Sequence, residues 1–300
     1  MPLPKNLQDL FEDPPPQYAF EISESGIACA RTGARSGEDA QIKFEPVPEG
    51  VLSISPVHDN VQQPDLFAGH VQNLAANGAG RKRRAALILP DYCVRIAVLD
   101  FDTLPSSAQE QNALIRFRFK KTVPFDIDSA VASYFVQPRK SAEAKIEVVA
   151  ALAPLEIVAR YEAPFRAAGF QPGWVTTSLL AALQLVQPDR ITVLAKLSGR
   201  ALGIVVLEES TLKLVRCVPL DSVDEESVTA ILHPTMAYIE DELETQASRL
   251  LLCGFGAMGE QFAPAWAAEW NVTVEPLRSR FGTPGMADAG LLGYLESVAA

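Results

Sequence analysis

Residues 189–219, DRITVLAKLSGRALGIVVLEESTLKLVRCVP, decide the fold, because they predict three consecutive strands joined by two tight turns. Apolar and β-branched residues dominate each run, which is typical of an antiparallel meander. The predicted strands are Thr192–Leu197, Ala201–Glu208 and Thr211–Pro219. A helix with one apolar stripe, Ser227–Gln246, and a strand, Arg249–Cys253, follow the meander.

The same order of elements occurs once before in the chain. Three strands, a helix and an apolar strand are predicted at Ala19–Ser23, Gly26–Arg31, Gln41–Val47, Pro64–Asn77 and Ala85–Leu89. A further helix or an insert follows in each half. We therefore predict an α/β fold of two similar lobes, each βββαβα, that face each other across a cleft. Function is to be sought in that cleft.

A separate unit interrupts the first half. Its predicted order is βαββα, with a helix over Ala108–Thr122 that Ser106 or Ser107 can cap. Three prolines at 14–16 prevent a helix near the start of the chain. The predicted domains are a loose tail (1–16), a first lobe (17–93 with 170–188), an inserted subdomain (94–169) and a second lobe (189–300).

Composition excludes several classes of function. The chain has 300 residues and a formal net charge of −11, which argues against general binding to nucleic acid or to anionic membranes. Its four cysteines form no CxxC pair and its three histidines are isolated, so we expect reduced thiols, a cytosolic location and no metal site. We find no apolar run of membrane-spanning length and no secretory signal.

Three segments are similar to those of a known family: the strand–Pro–strand entry from Leu87 to Pro105, the helix that ends in Pro124-Phe125, and the second-lobe hairpin from Ser198 to Pro219. In this order they resemble the PilM family of type IV pilus assembly proteins. The resemblance implies an actin-like (ribonuclease H-like) fold with a small extra subdomain, close to FtsA and to the cytoplasmic domain of GspL. It also implies a partner, the short cytoplasmic tail of the inner-membrane protein PilN.

Actin-like ATPases hold phosphates in two hairpins of the form apolar-Asp-x-Gly, in which the Asp positions Mg²⁺ and the Gly admits the phosphates. Here Glu21 and Ser23 take the Asp and Gly positions of the first hairpin. Lys196 and Ser198 take them in the second, and Gly199 follows. An additional carboxylate, Glu24, would repel a phosphate by about 4 kcal/mol at ~4 Å for an effective dielectric near 20.

These replacements predict a chain that is no longer an enzyme. A lysine ammonium does not coordinate Mg²⁺, and phosphoryl transfer needs a placed metal. We therefore expect no catalytic residues and a pseudo-ATPase, while Lys196 leaves weak binding of ATP open. Gly254 and Gly256, at a strand-to-helix junction, are candidate adenine-side residues, although tight strand–helix packing explains them equally well.

The resemblance places the partner peptide in a groove between the first lobe and the inserted subdomain. The helix Ala108–Thr122 carries the candidate residues Arg116, Phe117 and Lys120, and Phe125 follows it. Apolar anchors would supply most of the affinity and the basic groups would attract an acidic tail. A solvated helix face is the alternative interpretation.

The preferred hypothesis is a cytoplasmic scaffold of a type IV pilus or type II secretion complex, held at the inner face of the inner membrane by a PilN-like protein. The alternatives are an active ATPase of the sugar kinase or chaperone type and a filament former like FtsA. Because fold does not fix function, this choice depends on the family resemblance.

Overall fold

The computed structural model describes residues 15–32, 40–75, 83–139, 141 and 143–299. Most of the predicted tail, residues 1–14, lies outside them. The first lobe is built on a five-stranded sheet of order β3-β2-β1-β4-β8. Its strands are β1 (Tyr18–Ser23), β2 (Gly26–Arg31), β3 (Gln41–Pro46), β4 (Arg83–Leu89) and β8 (Phe170–Thr177).

The second lobe repeats this topology. Its sheet has the order β11-β10-β9-β12-β13. The strands are β9 (Asp189–Ser198), β10 (Ala201–Glu209), β11 (Thr211–Pro219), β12 (Arg249–Cys253) and β13 (Thr273–Pro276). In both sheets the first three strands are antiparallel and the last two join in parallel. The predicted two-lobed α/β fold is confirmed.

Helices complete each lobe and extend the predicted pattern. They are α1 (Pro64–Ala75), α3 (Leu155–Ala167) and α4 (Ser178–Ala182) in the first lobe, and α5 (Glu225–Glu242), α6 (Ala257–Trp270) and α7 (Ala289–Ala299) in the second. Each lobe therefore reads βββαβαβα, one strand and one helix longer than the sequence pattern. Among the described residues, no helix is long and apolar enough to cross a membrane.

The inserted unit is a three-stranded antiparallel sheet with a helix on one face. The strands β5 (Arg95–Phe101), β6 (Ala130–Val136) and β7 (Ile146–Pro154) have the order β5-β7-β6. The helix is α2 (Ala108–Phe119), and Ser107 caps it by accepting a hydrogen bond from the Glu110 amide at 3.1 Å. Its buried residues Ile115 and Phe119 pack with alternate β7 residues such as Val148 and Leu152.

Helix α3 packs with the first lobe, whereas the sequence pattern assigned it to the inserted subdomain. Its buried face, Ile157, Tyr161 and Phe165, belongs to the same core as Phe20 and Phe67. It leads directly into the fifth strand of its sheet, as α6 does in the second lobe. This packing joins α3 to the core of the first lobe, although the chain reaches the helix directly from β7 of the inserted sheet.

The two lobes meet where α4 contacts α7. Leu179 and Ala182 share a core with Leu291 and Leu295. The backbones approach so closely that a Cβ atom at Gly293 would lie 2.1 Å from the carbonyl oxygen of Ala181. This contact places the N-termini of both helices beside the cleft.

Candidate functional sites in the cleft and beside the inserted subdomain

The two predicted hairpins meet at the cleft between the lobes. The β1–β2 turn and the β9–β10 turn both line a cavity of about 670 Å³. Of the predicted nucleotide-site residues, Glu21, Ser23, Ser198 and Gly199 line it. The structure therefore brings these four residues together, although the two hairpins are far apart in the sequence.

Lys196 forms a buried ion pair at the base of the cleft. Its side chain is fully buried, and Nζ lies 2.9 Å from Oδ2 of Asp91 and also donates to Ser198 Oγ. Asp91 sits in a 3-10 turn after β4, and its Oδ1 accepts a hydrogen bond from the Leu179 amide at 2.6 Å. Burial lowers the pKa of Lys196, but the charges of Asp91 and Glu21 outweigh it and raise that pKa above its usual value.

Glu21 is held by the N-termini of two helices. One carboxylate oxygen accepts from the Ser178 hydroxyl, in the first turn of α4, and the other accepts from the Leu291 amide at 2.6 Å, in the first turn of α7. Free amides at a helix N-terminus favour such an anion. Burial raises the pKa of Glu21 to about 7, against the charge of Lys196 and these hydrogen bonds.

Within this cluster the positive charge of Lys196 is compensated by neighbouring carboxyl groups. The ammonium of Lys196 pairs with Asp91 and also interacts electrostatically with Glu21, and both oxygens of Glu21 already accept hydrogen bonds. Within the described ranges, no group of three or more His, Cys, Asp or Glu side chains could hold a metal ion. Sequence reasoning missed Asp91, which looks like an ordinary turn residue after Pro90.

The mouth of the cleft is acidic. Its lining includes the exposed carboxyl groups of Glu24 and Glu49 and the guanidinium of Arg200, above the buried carboxyls of Glu21 and Asp91. Glu24 accepts from the Ile54 amide at 3.1 Å, and Arg200 donates to backbone carbonyls of residues 220 and 221. Two exposed carboxylates beside one exposed guanidinium leave the mouth with a net negative charge, which disfavours a polyphosphate.

Gly254 and Gly256 have structural reasons to be glycine. Gly254 has φ +79°, and a Cβ atom there would lie 2.3 Å from the carbonyl oxygen of Leu197. Gly256 has φ +53° at the start of α6, where a Cβ would meet nothing within 4 Å. Neither residue lines the cleft cavity. Close packing of β12 against β9 accounts for Gly254.

The candidate partner residues of α2 are dispersed by the structure. Arg116 donates hydrogen bonds to Oδ1 of Asn112 at 2.7 Å and to the carbonyl oxygen of Ala130 at 2.8 Å. It also donates to the carbonyl oxygen of Ile127, so it holds the loop before β6 against the helix. Phe125 packs at the edge of the subdomain core. Phe117 is 71% exposed and Lys120 is exposed. The four residues do not form one surface.

An apolar groove of about 500 Å³ lies on the other face of the subdomain sheet. One wall is β6 and β7 and the other is α3, β8 and α4. Its apolar lining includes Val131, Phe135, Val149, Leu155, Trp174 and Leu180. Because strand residues alternate between faces, Val149 and Ala151 face the groove while Val148 and Ala150 face α2. The four predicted partner residues, Arg116, Phe117, Lys120 and Phe125, do not line the groove.

Two sheet edges border this groove. β6 is the outer strand of the subdomain sheet, and β8 is the outer strand of the first-lobe sheet. Among the described residues, each has one neighbouring strand only. An outer strand presents backbone groups that can pair with another chain. The alternation of Val131, Ser133 and Phe135 was the available sequence signal.

The second lobe closes one end of the groove. The β10–β11 turn contributes Leu207, Glu209 and Leu212 to the lining. The buried side-chain amide of Gln137 donates to the Leu212 carbonyl at 2.8 Å and accepts from the Leu212 amide at 2.9 Å. The groove is therefore built from the subdomain and both lobes.

Comparison with known proteins identifies the fold through structure. No protein-family model matches the chain, and no curated protein matches its sequence. A chain of the PilM–PilN type IV pilus biogenesis complex is similar to it with 17% identity and a TM-score of 0.71, covering 96% of this chain and 100% of that one.

Two further solved structures are similar over nearly the whole chain. A Bacteroides thetaiotaomicron protein of unknown function with an actin-like ATPase fold has 13% identity and a TM-score of 0.58, with coverage of 92% and 95%. The cytoplasmic domain of EpsL, an inner-membrane component of the type II secretion system of Vibrio cholerae, has 10% identity and a TM-score of 0.53, with coverage of 94% for both. The chain therefore has a two-lobed actin-like fold, and at the level of the fold its resemblance to PilM is confirmed.

Proposed function

We propose that this protein is a cytoplasmic scaffold of a type IV pilus or type II secretion complex, held at the inner face of the inner membrane by its partner. In this proposal it binds the extended cytoplasmic tail of a PilN-like membrane protein and does not hydrolyse ATP. The observation that carries the proposal is the apolar groove bordered by the outer strands β6 and β8.

The groove suits an extended peptide. A peptide that adds to a sheet edge gains main-chain hydrogen bonds, and side-chain pockets give it specificity. Leu155 is 59% exposed and Val131 is 41% exposed, so the groove offers apolar surface that a bound tail would cover. Similarity to a chain of the PilM–PilN complex supports a PilN-like partner, and similarity to EpsL supports a place beside an inner-membrane component.

The chemistry of the cleft supports a scaffold without ATPase activity. Lys196 stands at the hairpin position where actin-like ATPases have the aspartate that positions Mg²⁺. Its charge is neutralised by Asp91. Both carboxylate oxygens of Glu21 already accept hydrogen bonds, one from the Ser178 hydroxyl and one from the Leu291 amide. ATP with Mg²⁺ would have to break this cluster and enter an acidic mouth, and phosphoryl transfer without a placed metal is implausible.

Titration calorimetry with a synthetic peptide of the PilN-like tail tests the groove. Val131→Asp and Leu155→Asp place a charge on exposed apolar positions of the groove, and we expect each to weaken binding at least tenfold, about 1.4 kcal/mol. Phe117→Asp is the matched control, since Phe117 is exposed on α2, behind the subdomain sheet. Loss of binding in the Phe117 variant alone would move the site to α2.

A turnover assay tests the absence of ATPase activity. Purified protein with MgATP should release phosphate no faster than buffer. Enzymes in general typically reach about 1–10³ s⁻¹. Turnover in that range that is lost in Glu21→Gln or Lys196→Met would support the active ATPase instead, and ATP-dependent sedimentation of polymer would support the filament former.

A further inference from the structure

The cleft and the groove are joined by one strand of the second lobe. β10 begins at the cleft turn, next to Gly199 and Arg200, and ends at Glu209, which lines the groove. It is paired with β9 on one side and β11 on the other. Its nine residues span about 30 Å. A movement of the second lobe at the cleft must therefore move the border of the groove.

Lys196 fixes the cleft end of this connection. It lies on β9 opposite Gly203 of β10, and its Nζ is 2.9 Å from Oδ2 of Asp91 in the first lobe. The exposed fractions of the two side chains are 0% and 2%. The Leu179 amide holds the other oxygen of Asp91. This pair links β9 to the first lobe without solvent between them.

Two contacts fix the groove end. The side-chain amide of Gln137, in the subdomain, both donates a hydrogen bond to the backbone of Leu212 and accepts one from it. Both residues line the groove. Beside them, Nζ of Lys213 on β11 lies 2.5 Å from Oε1 of Glu147 on β7. The subdomain wall of the groove is thus fastened to the second lobe.

From these contacts we infer that Lys196 is a positioning residue for the partner groove. Its ion pair with Asp91 holds the lobes closed without nucleotide, and β10 transmits that closure to the groove. The inference rests on the proposed function and adds its regulation: the groove is permanently formed, so the tail binds equally well with and without nucleotide.

Calorimetry with the synthetic PilN-like tail peptide tests the inference on the full chain. We expect Lys196→Met to weaken binding at least tenfold, and 1 mM MgATP to change wild-type affinity less than twofold. Arg280→Met is the control, because it breaks an exposed pair with Glu296, at 2.8 Å, inside the second lobe. Wild-type affinity in Lys196→Met, or a tenfold gain with MgATP, would overturn the inference.

Hydrogen exchange gives a readout that needs no peptide. The Leu212 amide, which donates to Gln137, should exchange at least tenfold faster in Lys196→Met, while the Leu250 amide in β12 changes little. General destabilisation would accelerate both. If Lys196→Met does not fold, the double variant Lys196→Met/Asp91→Asn removes both charges of the ion pair and carries the same expectation. Unchanged exchange at Leu212 in a folded variant would contradict the inference.

The two proposals fail in different ways. If wild-type protein binds no tail peptide, the proposed function is wrong, and exchange at Leu212 still decides whether Lys196 positions the groove. If wild type and Lys196→Met bind the peptide equally, the scaffold function stands and only the positioning role is wrong.

Discussion

At the residue scale, Lys196 shows how one buried charge determines its surroundings. A buried ammonium is stable only where other groups compensate it, and removing one member of a buried pair leaves an expensive uncompensated charge. Asp91 supplies the compensation, and it lies 105 residues earlier in the chain. Because this partnership is not local, no spacing rule applied to the sequence identified Asp91, although the hairpin positions of Glu21 and Lys196 were identified.

The pKa of Glu21 predicts a pH dependence of stability. Native Glu21 keeps its proton up to about pH 7, whereas the unfolded chain releases it near the ordinary value of 4.5. The stability contributed by this raised pKa is present below 4.5 and is lost as the pH rises towards 7. Relative to Glu21→Gln, the wild type should lose roughly 2 kcal/mol between pH 5 and pH 8.

Urea denaturation at a series of pH values measures this difference. Glu49→Gln is the control, because Glu49 is an exposed carboxyl in the same cleft. A wild type that gains stability over this range relative to Glu21→Gln would show that the native carboxylate is charged well below pH 7.

At the scale of elements, the packing of a helix decides what its surface can do. The basic cluster on α2 suggested a peptide site, but a sequence cluster does not reveal which face of a sheet its helix covers. Arg116 turns inward to the loop before β6, and the groove lies behind the sheet. The groove itself joins residues from separate segments between Leu89 and Ser297, and only the alternation within its strands was visible in the sequence.

Arg116 should therefore act on stability. Arg116→Met removes the donors to the carbonyls of Ile127 and Ala130, so we expect a loss of about 2 kcal/mol in the free energy of unfolding. Lys120→Met, on the exposed side of the same helix end, should change it by less than about 0.5 kcal/mol. Equal stability of the two variants would mean that the Arg116 contacts contribute nothing.

The junction between β12 and α6 offers a second test. Gly254→Ala must accommodate a Cβ atom 2.3 Å from the Leu197 carbonyl oxygen and should cost about 3 kcal/mol. Gly256→Ala has backbone strain but no close contact for its Cβ, so it should cost less, about 1–2 kcal/mol. Thermal denaturation compares them, and equal melting temperatures would refute the close approach as the reason for Gly254.

At the scale of the whole molecule, the duplicated meander predicted both lobes because alternation along a strand is a local signal. The fifth strand of the first lobe was harder to recognise, because Pro172 and Gly173 interrupt the pattern of β8. The equivalence of α3 and α6 is a relation between sheets, so it became visible only when both strand orders were known.

Nucleotide should leave global stability unchanged. A ligand present at a hundred times its Kd stabilises the native state by about 2.7 kcal/mol, which raises the melting temperature by several degrees. Because the Lys196–Asp91 pair occupies the base of the cleft, we expect 1 mM MgATP to shift the melting temperature by less than about 1 °C relative to MgCl₂ alone. A rise of several degrees would establish that the cleft still binds nucleotide.

The position of Trp174 makes partner engagement visible optically. The chain has three tryptophans, and Trp266 and Trp270 stack on each other in the second lobe. Trp174 lies in the groove wall, with its ring centroid 5.3 Å from that of Tyr294. Intrinsic fluorescence therefore contains one indole at the docking surface, whose emission should shift to shorter wavelength when a tail excludes water from it.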